Sequence, residues 1–163
     1  MAIENGMNAD DFSRELAAHA DSVNANFKPL LKQFIPVVRE QVQANFDLSE
    51  TADGTAWPEH APSTVARYGP HPLLILSGAL ERAATEAGAN HVELIDSNSL
   101  TYGVTGIKYA AVQNYGSAGR FEGDDYHAGP IPAREYMAIG EDAEDELVEL
   151  AGDYMANRVF GSN

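Results

Sequence analysis

The side chains able to do chemistry in this 163-residue chain are few and scattered. Its five histidines stand at positions 19, 60, 71, 91 and 127. None forms the i,i+4 pair that would set two imidazoles on one metal from one helix face. Cysteine is absent, which removes a thiolate nucleophile, a disulfide scaffold and a Cys-ligated zinc site. Ser77 stands in LSGA, without the preceding glycine of a nucleophile elbow. There is no P-loop, no dinucleotide-binding fingerprint and no H-E-x-x-H. Two local clusters remain. Asp124 to His127 (DDYH) offers oxygen ligands on a loop, enough to hold a hard cation weakly for a metal-dependent hydrolase. Solvated aspartates are the commoner meaning of such a run. Glu59 beside His60 suggests an acid/base pair, but adjacency on a loop fixes no geometry. On these residues catalysis is poorly supported, and no cofactor or metal is expected.

Contact residues are better represented than catalytic ones. The segment from Ser117 to Pro130 is too long and too glycine-rich for a turn, and loops of that length in compact domains usually bind something. It carries Arg120, Phe121 and Tyr126, and Arg134 follows it. Arginine and aromatic side chains are typical interface anchors. Phe121 reads equally well as tucked into the subunit's own core. Arg134 reads equally well as a partner for the acidic start of the last helix.

Charge narrows the partners. A net charge of −15 repels free nucleic acid and anionic lipid, and argues against ordinary DNA binding. Its plain meaning is solubility. No apolar run reaches the roughly eighteen residues of a membrane span. The opening residues, MAIENGMNADDF, have neither a basic region nor an apolar run, so the expectation is a soluble protein made inside the cell.

Several elements must position these residues. A first helix is expected over 8–26, with Asp10 and Asp11 near its start and an edge of Phe12, Leu16, His19, Val23 and Phe27. A stronger helix is expected from Pro29 to Phe46, its stripe formed by Leu30, Leu31, Phe34, Val37, Val38, Val42 and Phe46. Pro36 should kink it or divide it in two. Turn formers then dominate from Asp47 to Tyr68, where the sole tryptophan, Trp57, should anchor the loop on the core. Ser63 is expected to cap a short helix closed by Gly69, and Ser77 another over 78–87 with Gly88 as its stop.

The β signal is period-two alternation in His91 to Asp96 and Leu100 to Thr105, joined by Ser97 to Ser99. In an antiparallel pair, Val92 and Leu94 are expected to share a face with Leu100, Tyr102 and Val104. Tyr109 to Tyr115 should form a short helix ended by Gly116, and Arg134 to Ile139 a third strand. Glu141 to Phe160 reads as the last helix, with acidic residues in its first turn and Leu147, Leu150, Tyr154 and Val159 along its buried stripe. Its like-charged i,i+4 pairs, among them Glu141/Asp145 and Asp145/Glu149, each cost a few tenths of a kcal/mol. That face is either solvated or set against a basic partner. Together these give an α+β fold: an antiparallel sheet of three or four strands, packed against a long N-terminal helix and a C-terminal amphipathic helix, with long loops. One domain is expected over 1–163, with 1–28 as a helical extension and 29–163 as the core.

Five segments in order resemble one family: DGTAWP from Asp53, APSTVAR from Ala61, LILSGAL from Leu74, YAAVQNYG from Tyr109 and IPAREY from Ile131. The chain is similar to the virion-morphogenesis or tail-completion proteins of long-tailed bacteriophages, from about Val37 to the C-terminus. Glu135 departs from the proline that commonly follows the arginine in that family. The resemblance implies a non-enzymatic virion protein at the head–tail joint or the top of the tail. It implies a homo-oligomeric ring, a hexamer, around the DNA channel, touching neck, connector and tail-tube proteins. DNA would pass through the lumen without sequence-specific binding, past an acidic face containing Glu141, Asp145 and Glu149. Without the resemblance, the same residues read as an acidic protein-binding module that mimics nucleic acid.

Overall fold

The computed structural model describes residues 14, 26–118 and 130–160. The long helix is its axis. We label it α1 (Lys28–Leu48), followed by α2 (Pro62–Tyr68), α3 (Ala79–Thr85), β1 (His91–Ile95), β2 (Leu100–Val104), α4 (Ala110–Tyr115) and α5 (Glu141–Phe160). The expected first helix lies mostly outside the described residues; within it, Arg14 is helical.

Pro36 does not divide α1. An internal proline costs about 3 kcal/mol. Leu30, Leu31 and Ile35 are buried before it and Val37, Val42 and Phe46 after it. At roughly 1.5–3 kcal/mol per buried aliphatic side chain, their packing outweighs the proline. The helix serves two cores. Near its start, Phe27, Leu30 and Leu31 pack with Ala151, Leu150 and Tyr154 of α5. Near its end, Val42 and Phe46 join Trp57, Leu73, Leu80, Ala84, Ala110 and Tyr136.

Trp57 anchors its loop as expected, edge-on to Phe46 with ring centroids 5.8 Å apart. The turn before it is built by Asp53, whose carboxylate accepts from Thr55 N at 2.9 Å. That hydrogen bond holds the Asp53 carboxyl below its usual pKa. α2 is opened by Pro62 after Ala61, so Ser63 lies inside the helix rather than capping it. α3 is shorter than expected and starts after Gly78, whose φ of +69° is the left-handed turn that frees the helix to begin.

Among the described residues the sheet has two antiparallel strands, fewer than expected. Its register also differs by one residue in effect. His91 faces Val104, Glu93 faces Tyr102 and Ile95 faces Leu100. Leu100, Tyr102 and Val104 therefore share a side with His91, Glu93 and Ile95, while Val92 and Leu94 lie on the other. The cause is the turn. Asp96 N bonds Ser99 O at 2.9 Å, so only Ser97 and Asn98 span the strands, and a one-residue change in loop length inverts every side chain. The inner side gains polar partners. His91 Nδ1 meets Ala83 O at 3.0 Å, and Arg39 donates to Glu93 at 3.1 Å. Leu94 is left 63% exposed.

Arg134 to Ile139 is not a strand. Its peptide groups are met by side chains and by a helix end instead of a ladder. Asn45 Nδ2 donates to Tyr136 O at 3.1 Å and Ala138 O at 2.9 Å. Met137 N donates to Asn114 Oδ1 at 3.0 Å, and Arg134 N to Gln113 O at 2.8 Å. Satisfied in this way, the segment has no need of a strand partner.

Candidate functional site: an apolar groove beside a buried arginine

Between α2, the start of α3, α4 and residues 130–134 lies a cavity of about 460 Å3. Leu74, Leu80, Val112, Ile131 and Pro132 line it, and Tyr68, Leu76 and Tyr109 stand at its exposed parts. Charge is nearly absent: Glu59 and Arg134 are its charged lining residues.

Arg134 organises one wall. Its side chain is buried at 6% exposure. Nε donates to Pro58 O at 2.8 Å, one terminal nitrogen to Glu59 O at 3.0 Å, and the other to Gln113 Oε1 at 3.2 Å. A planar fork with several donors suits this task in a way that lysine would not. Burial pulls the guanidinium pKa down, and the nearby Glu59 opposes that shift. Arg134 thus works within its own subunit. It is not an exposed anchor, and its bonds go to the Pro58–Glu59 loop and α4 rather than to the acidic start of α5.

The other walls depend on close backbone approach. Gly116 ends α4 at φ +73°, and a Cβ there would sit 2.9 Å from both Ile131 O and Ala133 N. That approach lets Ser117 and Ile131 exchange two backbone hydrogen bonds of 2.8 Å. Behind them, Tyr136 donates to Ala110 O at 3.3 Å. Burial, aided by the phenols of Tyr115 and Tyr109, pushes its pKa up to about 12.

His60 and His71 stack with ring centroids 4.2 Å apart. His60 Nε2 lies 3.2 Å from His71 O, and His71 Nδ1 lies 2.9 Å from Gly69 O. A carbonyl can only accept, so each of those ring nitrogens carries the proton. His60 is therefore engaged with His71 rather than poised as a base beside Glu59. Among the described residues, no group of three or more His, Cys, Asp or Glu could hold a metal ion. The lining of the groove is mainly apolar.

The other candidate surface is α5. Glu141, Asp142, Glu144, Asp145, Glu146, Glu149 and Asp153 are all exposed, while Ala143 and Ala151 face inward. Glu141, Asp145 and Glu149 are among them, at i,i+4 spacing. Arg120, Phe121 and Tyr126 lie outside the described residues, as does the Asp124 to His127 cluster. Sequence reasoning missed Asn45, which is 2% exposed and holds the 136–138 backbone. Its signal was available: a polar side chain among Val42 and Phe46 on an apolar stripe asks for a buried partner.

Among the described residues, no helix is long and apolar enough to cross a membrane. No curated protein and no solved structure matches the chain. A family model does, that of phage virion morphogenesis, over residues 8–156. The match extends the resemblance through most of the first expected helix, which the motifs alone had left out.

Proposed function

The chain belongs to the phage virion morphogenesis family, a structural and assembly family, and we propose that it is a head–tail connector or tail-completion protein of a long-tailed bacteriophage. In this reading it acts as a neck or tail-terminator ring, a hexamer around the DNA channel, between head and tail. Its neighbours are neck, connector and tail-tube proteins. The observation that carries the reading is the separation of charge on the surface. One helix face concentrates exposed carboxylates, and the groove on another part of the chain is nearly free of charge.

A ring around DNA needs both kinds of surface. Copies that each carry −15 must meet through parts that do not repel. A lumen that lets DNA slide must withhold the phosphate contacts that hold nucleic acid to proteins. We assign the Glu141, Asp145 and Glu149 face to the lumen. Native mass spectrometry and particle complementation test the assembly. Closed oligomers, or recovery of infectious particles in an extract lacking this protein, are expected; a monomer that also fails to join particles would sink the reading. A reconstruction with the α5 face turned outward would remove the lumen assignment alone.

A further inference from the structure

The chain carries both a hollow and a projection with little charge, and they lie on different elements. The hollow is the groove, with Tyr68, Leu76 and Tyr109 exposed at 50%, 58% and 43%. The projection is the outer side of the β1–β2 hairpin. Leu94, 63% exposed, sits there opposite Thr101, with Val92 opposite Gly103. No charged residue occurs from Ser97 to Ile107, and Glu93 is turned to the inner side, where it pairs with Arg39; the exposed Asp96, at the turn, is the one carboxylate that alternation places on the side of Leu94. The lone charge of β1 is therefore spent within the subunit.

We infer that the outer side of the hairpin, centred on Leu94, docks into the Tyr68–Leu76–Tyr109 groove of the next copy. This rests on the ring reading above and names its interface. An apolar projection and an apolar hollow at separate places on one chain make a head-to-tail contact, which repeats from copy to copy and closes when the rotation allows. A second copy is the fitting occupant on grounds of charge. Two chains at −15 are repelled at most of their surface, and these two patches are where a close approach brings few like charges together. A basic partner would be drawn to the α5 face instead. Leucine and tyrosine at the centre of such a patch are side chains whose burial drives association.

The absence of native cysteine makes the test direct. The double variant Leu76→Cys with Leu94→Cys is oxidised at high protein concentration and resolved without reductant. A ladder of covalent oligomers is expected from the double variant and not from either single one. Leu76→Asp and Leu94→Asp should each weaken assembly by about tenfold or more, with the melting temperature of the monomer nearly unchanged. Pairing Leu76→Asp with Leu94→Lys should restore assembly, which a merely structural role would not do. Native mass spectrometry of the unmodified protein is the separate arm. If it forms rings while the double-cysteine variant gives no ladder and the aspartate variants assemble normally, this interface is wrong and the ring stands. If the hairpin or groove cysteine instead cross-links to a different virion protein in particles, the second-copy assignment is overturned. If the unmodified protein neither assembles alone nor enters particles, the ring falls and takes this interface with it.

Discussion

The wall of the groove and the acidic face of α5 are held in place by opposite means. At the groove, polar side chains turn inward onto backbone: Arg134 on the Pro58 and Glu59 carbonyls, Asn45 on Tyr136 and Ala138, Asn114 on Met137. Each contact is specific in direction and has few substitutes. On α5 the polar side chains point outward, repel their neighbours, and leave Ala143, Ala151 and Tyr154 to hold the helix by packing. A shape that must be kept is built from buried hydrogen bonds, and a field that must be presented is built from exposed charge. The first should be fragile to single changes and the second tolerant.

The largest effect is expected at Arg134. Arg134→Met leaves three acceptors without their donor and should cost about 3–5 kcal/mol by urea unfolding. Arg134→Lys should recover little, because one ammonium cannot reproduce the fork. A loss below about 1 kcal/mol would mean that water replaces those bonds and the wall is not built as described. Gly116→Ala comes next. Its methyl would meet backbone at 2.9 Å from a left-handed φ, so a loss of about 2–3 kcal/mol is expected, with the Ser117–Ile131 bridge exchanging its amide hydrogens faster.

Tyr136 gives a smaller, pH-dependent signature. Its pKa is raised from the ordinary 10.0 to about 12, so the folded chain holds the neutral phenol while the unfolded chain ionises. Stability from this group is full below pH 10 and falls as pH rises from there towards 12. Tyr136→Phe should flatten that alkaline decline relative to the native protein in parallel urea series. An unchanged decline would place the phenol in water. The smallest effect is expected on α5. Asp145→Lys turns two repulsive i,i+4 pairs attractive and should stabilise the chain by about 1 kcal/mol or less. A loss of stability there would show that the face is structural and end the contrast.

What the sequence made legible follows the same division. The elements set by apolar periodicity or by a stop signal were readable: α1, α4 with Gly116, and α5 to its end residues. Trp57 as a loop anchor was readable because so large an apolar side chain rarely stays in water. The hairpin was legible, but its sidedness was not, since that turned on whether the turn holds two residues, Ser97 and Asn98, or three. The 134–139 segment was misread as a strand because its partners are side chains from distant helices, and spacing along a chain does not show them. Arg134, expected as an interface anchor or as a partner for the acidic start of the last helix, is instead buried on the chain's own carbonyls. An arginine in a motif signals many donors, and whether they meet a neighbour or the chain's own carbonyls is decided by tertiary packing.

One bond links the two ends of this description. Phe27 N, at the threshold of α1, donates to Ser97 O in the hairpin turn at 2.6 Å, and Tyr154 of α5 reaches back to Asn26 O at 3.2 Å. A tug on the hairpin tip is therefore passed by main chain into the axis of a 21-residue helix, a rod of about 30 Å, which ends at the core beneath the groove. Mechanically, projection and hollow are the two ends of one strut.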